Sequence, residues 1–430
     1  MKILVIGGGG REHALVWKLM EGAGVEHVWC APGNGGISHH AECIAVAAEN
    51  VAELAELAGR LKPDLTVVGP EAPLVAGIAD EFACRGYPLL GPTKQAARLE
   101  GSKIFAKEFL ERHSIPTAPV YGTYDSAGEA YAALCAVDWP VVIKADGLCG
   151  GKGVFVAPTP DDATSFIEQL MEKDELGPGG HRVLMEEALA GQELSYIILT
   201  DGDSFLPMVP TRDHKRVFDG NQGPNTGGMG AYSSNDLLAP ELDSKILDTI
   251  VRPTLAALRN DGIDYRGFLY FGLMLSSTGP KVLEFNCRLG DPEAQAVLVR
   301  ADFDLAQACL AATQGRLSQI KPSWKKGASV CVVMASGGYP GKFEVGKTVN
   351  GLDKAAQVEG TVVFHSGTRR EGAGYYTSSG RVLSVTSAAD SLPKALRSAY
   401  RAAECISFDS VHYRRDIAAG SARSTGAAGG

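Results

Sequence analysis

Lys2-Ile3-Leu4-Val5-Ile6-Gly7-Gly8-Gly9-Gly10-Arg11-Glu12-His13 decides how the N-terminal region is read. A continuous apolar run breaks into four glycines, and a helical pattern follows over residues 12–20. An apolar run without alternation is a strand buried on both faces, as in parallel sheets. The pattern repeats outward. Residues 25–30 read as a second strand, Val51, Leu54, Ala58 and Leu61 share one helical face, and residues 65–69 read as a third strand. A helix over 74–84 and a short strand at 88–90 complete the series. Such alternation predicts a parallel sheet with right-handed crossovers. Its ligands belong at the C-terminal strand ends, where Gly7–Gly10, Pro32–Gly36 and Gly69–Glu71 fall.

The glycine turn does not fit a dinucleotide. GxGxxG needs a third glycine at position 12 or 13, which are Glu12 and His13. The second strand ends in Trp29-Cys30-Ala31-Pro32, with no acid for a ribose hydroxyl. What remains is either a tight strand–helix turn or an anion site at a helix N-terminus, built on Gly9, Gly10 and Arg11.

The 430 residues suffice for two to four domains. Hydrophobic residues make up 45% and charged residues 21%, an ordinary globular balance. Net charge is −9, which disfavours general nucleic-acid binding. No apolar run approaches the roughly 18 residues of a membrane span, and no signal peptide is read at the start. Nine cysteines, none at CxxC spacing, argue against a disulfide framework or a clustered zinc site and read mostly as buried small hydrophobes. The expected location is the cytoplasm.

Ser102 can cap a helix at 103–112. Strands are expected at 141–144, 153–157, 182–187 and 193–200, with helices at 125–136 and 161–173. Residues 210–235 read as one long Gly/Asn/Pro-rich loop, the kind that usually carries function. A helix at 240–260, strands at 267–275 and 281–285, and a helix at 303–313 follow. Beyond Pro322-Ser323, strands at 328–335, 361–365 and 382–386 and a helix at 392–405 form a small α/β unit.

Lys144-Ala-Asp-Gly-Leu-Cys-Gly-Gly-Lys152-Gly153 joins two expected strands through a glycine-rich hairpin. It is not a P-loop, since Asp146 and Gly153 break GxxxxGK[ST] and no helix follows. Backbone N–H groups and lysines in such a hairpin can still cover nucleotide phosphates. Met185-Glu186-Glu187-Ala188-Leu189, with Glu193 beyond, can offer backbone to an adenine edge and an acid to ribose. In Val282-Leu-Glu284-Phe-Asn286-Cys-Arg288, period-2 alternation puts Glu284, Asn286 and Arg288 on one face. Glu and Asn are hard oxygen donors suited to Mg²⁺, and Arg288 suits an anionic intermediate. Arg212, Lys215 and Arg216 make a local positive patch, and His214 is either a base or a structural residue. Together these residues point to a nucleotide triphosphate with Mg²⁺, held between two sub-domains and facing an anionic substrate.

The chain closely resembles the phosphoribosylamine–glycine ligase family of the ATP-grasp superfamily. The likeness rests on Gly9-Gly10-Arg11-Glu12-His13-Ala14, Ala31-Pro32-Gly33-Asn34, Gly69-Pro70-Glu71-Ala72-Pro73-Leu74, Leu99-Glu100-Gly101-Ser102-Lys103 and Ile143-Lys144-Ala145-Asp146-Gly147-Leu148. It continues through Asp213-His214-Lys215-Arg216, Gly223-Pro224-Asn225-Thr226-Gly227-Gly228-Met229-Gly230-Ala231-Tyr232, Glu284-Phe285-Asn286-Cys287-Arg288 and Ala335-Ser336-Gly337-Gly338-Tyr339-Pro340-Gly341. It runs over about residues 1–417 in the family's order.

The resemblance implies an α/β protein in four parts. These are an N-terminal Rossmann-like parallel-sheet domain (1–101), an ATP-grasp body (102–322) with a mobile lid sub-domain at about 120–190, and a small C-terminal α/β domain (323–419). Residues 420–430 are expected as a disordered tail. By that likeness ATP and Mg²⁺ (or Mn²⁺) are the cofactors. Lys103 and Lys144 contact phosphates, Glu186 and Leu189 flank the adenine, and Glu193 takes the ribose. Glu284 and Asn286 hold the metal, and Lys144 and Arg288 serve catalysis. Gly9, Gly10, Arg11, Asp213, Lys215, Asn225, Gly228 and Arg288 bind substrate. The implied substrates are glycine and 5-phosphoribosylamine, joined through glycyl phosphate in purine biosynthesis by a monomer without nucleic-acid or membrane partners. Many ATP-grasp enzymes carry a further carboxylate on the preceding strand, but residues 269–275 have none, so the number of metal ions stays open. Rival readings are another ATP-grasp ligase, a dehydrogenase, or a non-catalytic nucleotide sensor.

Overall fold

Alternate residues of the first strand enter two different cores. The structure, a computed structural model, describes residues 1–419, and the tail expected at 420–430 lies outside the described residues. β1 (Lys2–Gly7) is the middle of a parallel sheet ordered β3 (Glu42–Cys43), β2 (His27–Pro32), β1, β4 (Leu65–Val68), β5 (Leu89–Leu90). Leu4 and Ile6 pack in one core with Leu54 and Ala58 of α2 (Val51–Leu61). Ile3 and Val5 pack in the other with Leu15 and Leu19 of α1 (Gly10–Met20). Burial on both faces is why the run shows no polar alternation. The helix expected at 74–84 is two helices, α3 (Glu71–Ala76) and α4 (Ile78–Cys84). Gly77, at φ +98°, ends the first in a left-handed cap.

α5 (Lys94–Gly101) and α6 (Lys103–Arg112) lead into an antiparallel sheet ordered β6 (Val120–Tyr124), β9 (Val183–Glu187), β7 (Val141–Ala145), β8 (Val154–Ala157). This unit has its own core, in which Val141, Ile143 and Met185 meet Ala163 and Ile167 of the helix Pro160–Ile167. A second antiparallel sheet is ordered β11 (Phe205–Pro207), β10 (Gln192–Thr200), β16 (Gly267–Ser276), β17 (Gly279–Asn286). Its side chains share the two N-terminal cores: Phe271 and Phe285 join the first, Ile197 and Phe268 the second.

The stretch 210–235 is not one loop. It carries β12 (Arg212–Asp213), β13 (Arg216–Phe218), β14 (Gln222–Asn225) and β15 (Gly230–Ser234). Local pattern hides them because the partner of β15 is far along the chain, in β18 (Ala328–Ala335). The sheet is ordered β12, β15, β18, β23 (Arg381–Ala389), β20 (Thr361–His365), so it draws strands from both sides of Pro322-Ser323. A small sheet of β19 (Thr348–Val349), β22 (Gly374–Thr377) and β21 (Thr368–Glu371) flanks it. All nine cysteines are free; Cys30, Cys287, Cys309 and Cys331 are buried, but Cys43, Cys84 and Cys135 are exposed, so burial is not the rule expected.

The N-terminal and C-terminal segments meet at a histidine seam. The His365 backbone N–H donates to His13 Nδ1 at 2.8 Å, which requires that nitrogen to be unprotonated. The His13 ring lies 5.5 Å from His40 and 5.6 Å from His365. Burial and the neighbouring imidazoles hold His13 well below the usual histidine value and His365 at about 4. Folded-state values below 6.5 mean that the unfolded chain binds these protons more readily. The seam's contribution is full above pH 6.5 and falls as pH drops toward 4. Urea midpoints at pH 7 and about pH 5 are therefore expected to differ more for the native chain than for His365→Asn; equal differences would exclude the seam as the source.

Candidate active site

Two lysines on one helix face organise the cleft. Ser102 Oγ accepts the Phe105 N–H and caps α6, which sets Lys103 and Lys107 at i and i+4. Lys103 Nζ lies 2.9 Å from Glu284 Oε2 on β17. Lys107 Nζ lies 2.6 Å from Glu186 Oε2 on β9, and Lys144 Nζ, at the end of β7, lies 2.5 Å from Glu186 Oε1. Lys144 also donates to the Leu283 carbonyl at 2.7 Å. The β7–β8 hairpin and β17 thus share one cleft. A bulge makes the last contact: Gly272 pairs with Glu284 and Leu273 with Val282, so Leu283 has no partner across from it. The bulge also takes Leu283 out of the simple alternation, and β17 ends at Asn286, so Arg288 lies beyond the strand.

Glu284 is held as an anion. Burial opposes its charge, but Lys103, Lys215 and Lys144 outweigh that and keep its carboxyl far below the ordinary range. The surrounding acceptors assign the Asn286 amide with its nitrogen donating to Glu100 Oε1 at 2.9 Å and to the Phe285 carbonyl at 3.2 Å, which frees its oxygen. Among the described residues no three His, Cys, Asp or Glu side chains are grouped to hold a metal. One carboxylate and one amide oxygen fit an ion that arrives with nucleotide phosphates, since Mg²⁺ takes few protein ligands.

Glu186 is fully committed to Lys107 and Lys144, which leaves the backbone at the end of β9 for an adenine edge. Leu189 is half-buried in the turn after β9, and the exposed Glu193 pairs with Lys215 at 2.9 Å. The hairpin is anchored by Asp146, which accepts Ser102 Oγ at 2.7 Å and the Ile104 N–H at 3.0 Å. At its tip Gly151 packs on Thr226, within 3.2 Å of where a Cβ would stand.

A second ionic network borders the first. Arg288 meets Glu71 at 3.0 Å and Glu100 at 2.8 Å, and Arg11 Nη1 lies 3.9 Å from Glu71. Burial works against the Glu71 charge, but Arg288 and Arg11 bring its carboxyl down to about 2. The glycine turn is less open to an anion than its sequence suggests. The Gly9 N–H is taken by Glu12 Oε2 at 2.5 Å, so the chain supplies its own anion at this helix start. Glu12 fills the space between two strand ends: a Cβ on Gly69 would stand 2.1 Å from its carboxylate oxygen. Gly10 is needed for packing, because a Cβ there would lie 2.5 Å from Ser366 Oγ. Arg11 is buried on Glu12 and the Leu289 carbonyl.

Asp213 and Lys215 lie on the ATP-side cluster instead. Burial, with Glu293, Glu193 and Glu284 nearby, pushes Asp213 up to about 7 against the pull of Lys215. Asn225 ends β14 opposite Arg216, and Gly228, at φ +112°, packs against Pro292. His214 is structural: it accepts the Ala418 N–H, and burial holds it near 4. Sequence reasoning missed Lys107, Glu71 and Glu100. The i,i+4 spacing from Lys103 was a signal for Lys107; the two acids announce themselves only through distant partners, Arg11 and Arg288 for Glu71 and Cys287 and Arg288 for Glu100.

Comparison with known proteins agrees with this architecture. Residues 1–100, 101–294 and 329–420 match the N domain, ATP-grasp (A) domain and C domain of phosphoribosylglycinamide synthetase. Phosphoribosylamine–glycine ligase of Allochromatium vinosum is 48% identical over 97% of this chain and 98% of its own length. That of Pseudomonas aeruginosa is 46% identical over 97% of each. Among solved structures, phosphoribosylamine–glycine ligase of Thermotoga maritima superposes with TM-score 0.84 at 32% identity, covering 97% of this chain and all of that one. A biotin carboxylase from Campylobacter jejuni, solved as a β,γ-ATP complex, shares the fold at TM-score 0.74 and 16% identity over 96% of this chain and 92% of its own. The chain belongs to the phosphoribosylglycinamide synthetase family of ATP-grasp ligases.

Proposed function

We propose that this chain joins glycine to 5-phosphoribosylamine with ATP, through glycyl phosphate. The observation that carries the reading is the contact of Lys144 on the hairpin with Leu283 on β17, beside Glu284 and Lys103. A triphosphate laid there would have lysines on one side and the Glu284–Asn286 oxygens on the other. The adenine would meet the strand end at Glu186–Leu189, with Glu193 toward the ribose.

A carboxylate is a poor electrophile and needs activation. One glycine carboxylate oxygen attacks the γ-phosphorus, an O–P bond forms, and ADP leaves. The amine of phosphoribosylamine then attacks the acyl carbon; a C–N bond forms, the C–O bond breaks, and phosphate departs with that carboxylate oxygen while the nitrogen loses a proton. Lys103 and Lys144 neutralise charge on the transferring group, and Arg288 faces the acyl phosphate. Glu284 and Asn286 would hold a Mg²⁺ ion, which when bound would supply Lewis-acid charge neutralisation at the phosphates. The hairpin excludes water that would hydrolyse the intermediate. Arg11, Glu71, Asn225 and Gly228, with the Gly9–Gly10 turn, border the phosphoribosylamine side. ADP release is expected to require glycine and phosphoribosylamine together. Full release without phosphoribosylamine, or with other amine–acid pairs, would favour a different ATP-grasp ligase.

A further inference from the structure

We infer that Tyr339, from the C-terminal domain, positions the turn Thr226–Gly228 as the seat on which the β7–β8 hairpin closes, and so protects glycyl phosphate from water. This rests on the glycine-ligase reading above and gives a role to the segment Ala335–Gly341, which that reading leaves without one.

The turn lies between β14 and β15 and is tied from two domains. From the ATP-grasp body, the Lys215 carbonyl accepts both the Thr226 N–H and Thr226 Oγ1 at 2.8 Å, and Oγ1 in turn accepts the Gly228 N–H at 2.9 Å. The other ties come from the C-terminal domain. The Gly227 N–H donates to the Tyr339 hydroxyl at 3.1 Å, and the Gly227 carbonyl accepts Arg381 Nη1 at 2.7 Å. Both backbone polar groups of one residue are therefore held by partners 112 and 154 positions further along the chain. The Tyr339 ring is itself fixed. It packs against Val217, Met229 and Ala335, and a Cβ on Gly380 would stand 2.3 Å from it.

The hairpin meets this seat backbone to backbone. Gly151 has φ +81°, and a Cβ there would stand 3.2 Å from the Thr226 carbonyl oxygen and 3.8 Å from the Gly227 nitrogen. The peptide that Tyr339 holds is thus the one under the hairpin tip, and its orientation sets where the tip comes to rest. Glycyl phosphate can be attacked at its acyl carbon by the amine or by water. Water breaks the same C–O bond and returns glycine and phosphate, so ATP is consumed without ligation. A fixed peptide leaves the tip one resting position and keeps that route closed. Tyr339 touches no substrate in this scheme, which makes it a positioning residue.

The test is the ratio of ADP released to ligated product formed, measured in the full chain. Native turnover is expected to release one ADP per product. Tyr339→Phe removes the hydrogen-bond acceptor, and Tyr339→Ala removes the ring as well. Loss of one hydrogen bond shifts a closed-to-open balance by roughly two- to tenfold, so the ratio should exceed about two in Tyr339→Ala and lie between that and one in Tyr339→Phe. Both variants should also release ADP with glycine alone, which the native enzyme should not. Gly151→Ala, on the hairpin side, should uncouple in the same way, and adding Tyr339→Ala to it should raise the ratio little further, because both act on one contact. Effects that multiply would place Tyr339 outside that contact and overturn the inference. So would a lowered thermal midpoint and rate with the ratio still at one in both variants, the mark of a merely structural tyrosine. The native enzyme separates the two readings. If it releases no ADP with glycine and phosphoribosylamine, the function itself fails; if it turns over at one ADP per product and the variants do too, only this inference fails. Should Tyr339→Ala fail to fold, Tyr339→Phe alone decides.

Discussion

Glu284→Ala is expected to abolish substrate-dependent ADP release while the protein still folds. Glu284 lies at the crossing of three lysine fields, from Lys103, Lys215 and Lys144, and is the only carboxylate on the face of β17 that meets the cleft. Removing it takes away a metal oxygen and leaves Lys103 to turn toward the phosphates in the wrong register. Loss of one preorganised electrostatic group costs about 10²–10³-fold in turnover, and loss of a metal ligand adds to that. The side chain is partly exposed, so stability should change little. ADP release measured beside the thermal midpoint checks both halves. A native rate would overturn the metal assignment, and an unfolded variant would show that the charge is structural.

Glu186→Ala should produce the largest loss of stability. Lys107 and Lys144 are almost completely buried and share this one carboxylate, at 2.6 and 2.5 Å. Burial already brings Lys107 down to about 8, so its charge survives through Glu186. Removing one partner of a buried ion pair costs about 3–5 kcal/mol, because the remaining charge is left without solvent or counter-ion. Urea unfolding should place Glu186→Ala in that range. The double variant Glu186→Gln with Lys107→Met should recover part of the loss, since it removes an orphaned cation. A cost below about 1 kcal/mol would mean that the lysines discharge or reach water, and the cleft is less closed than drawn.

Much of this architecture could be read from the chain because its signals are local. The glycine break after Ile6, the capped helix at Ser102 and the alternation into Glu284 and Asn286 each lie within one element. What could not be read depends on distant partners. β12 to β15 were hidden in an apparent loop because β15 pairs with β18, and a two-residue strand such as β12 has no periodicity of its own. The bulge at Leu283 is set by pairing with Gly272 and Leu273 on the neighbouring strand, so period-2 alternation within residues 282–288 does not show it. The four glycines suggested an open phosphate cradle, whereas Glu12 fills it from within the same helix. Their lack of side chains is used largely for packing, as at Gly10 against Ser366. Site chemistry was legible where residue type alone limits function, as with the hard oxygens. It was not where a residue acts through a partner, as Glu71 does between Arg11 and Arg288.

The central claim is that the cleft between the hairpin and β17 activates a carboxylate by phosphorylation. The most direct measurement uses glycine labelled with ¹⁸O in its carboxylate, with ATP and phosphoribosylamine, and reads the isotope in the released inorganic phosphate by mass spectrometry. One labelled oxygen in each phosphate is the predicted result; phosphate without label, at full product yield, would contradict it.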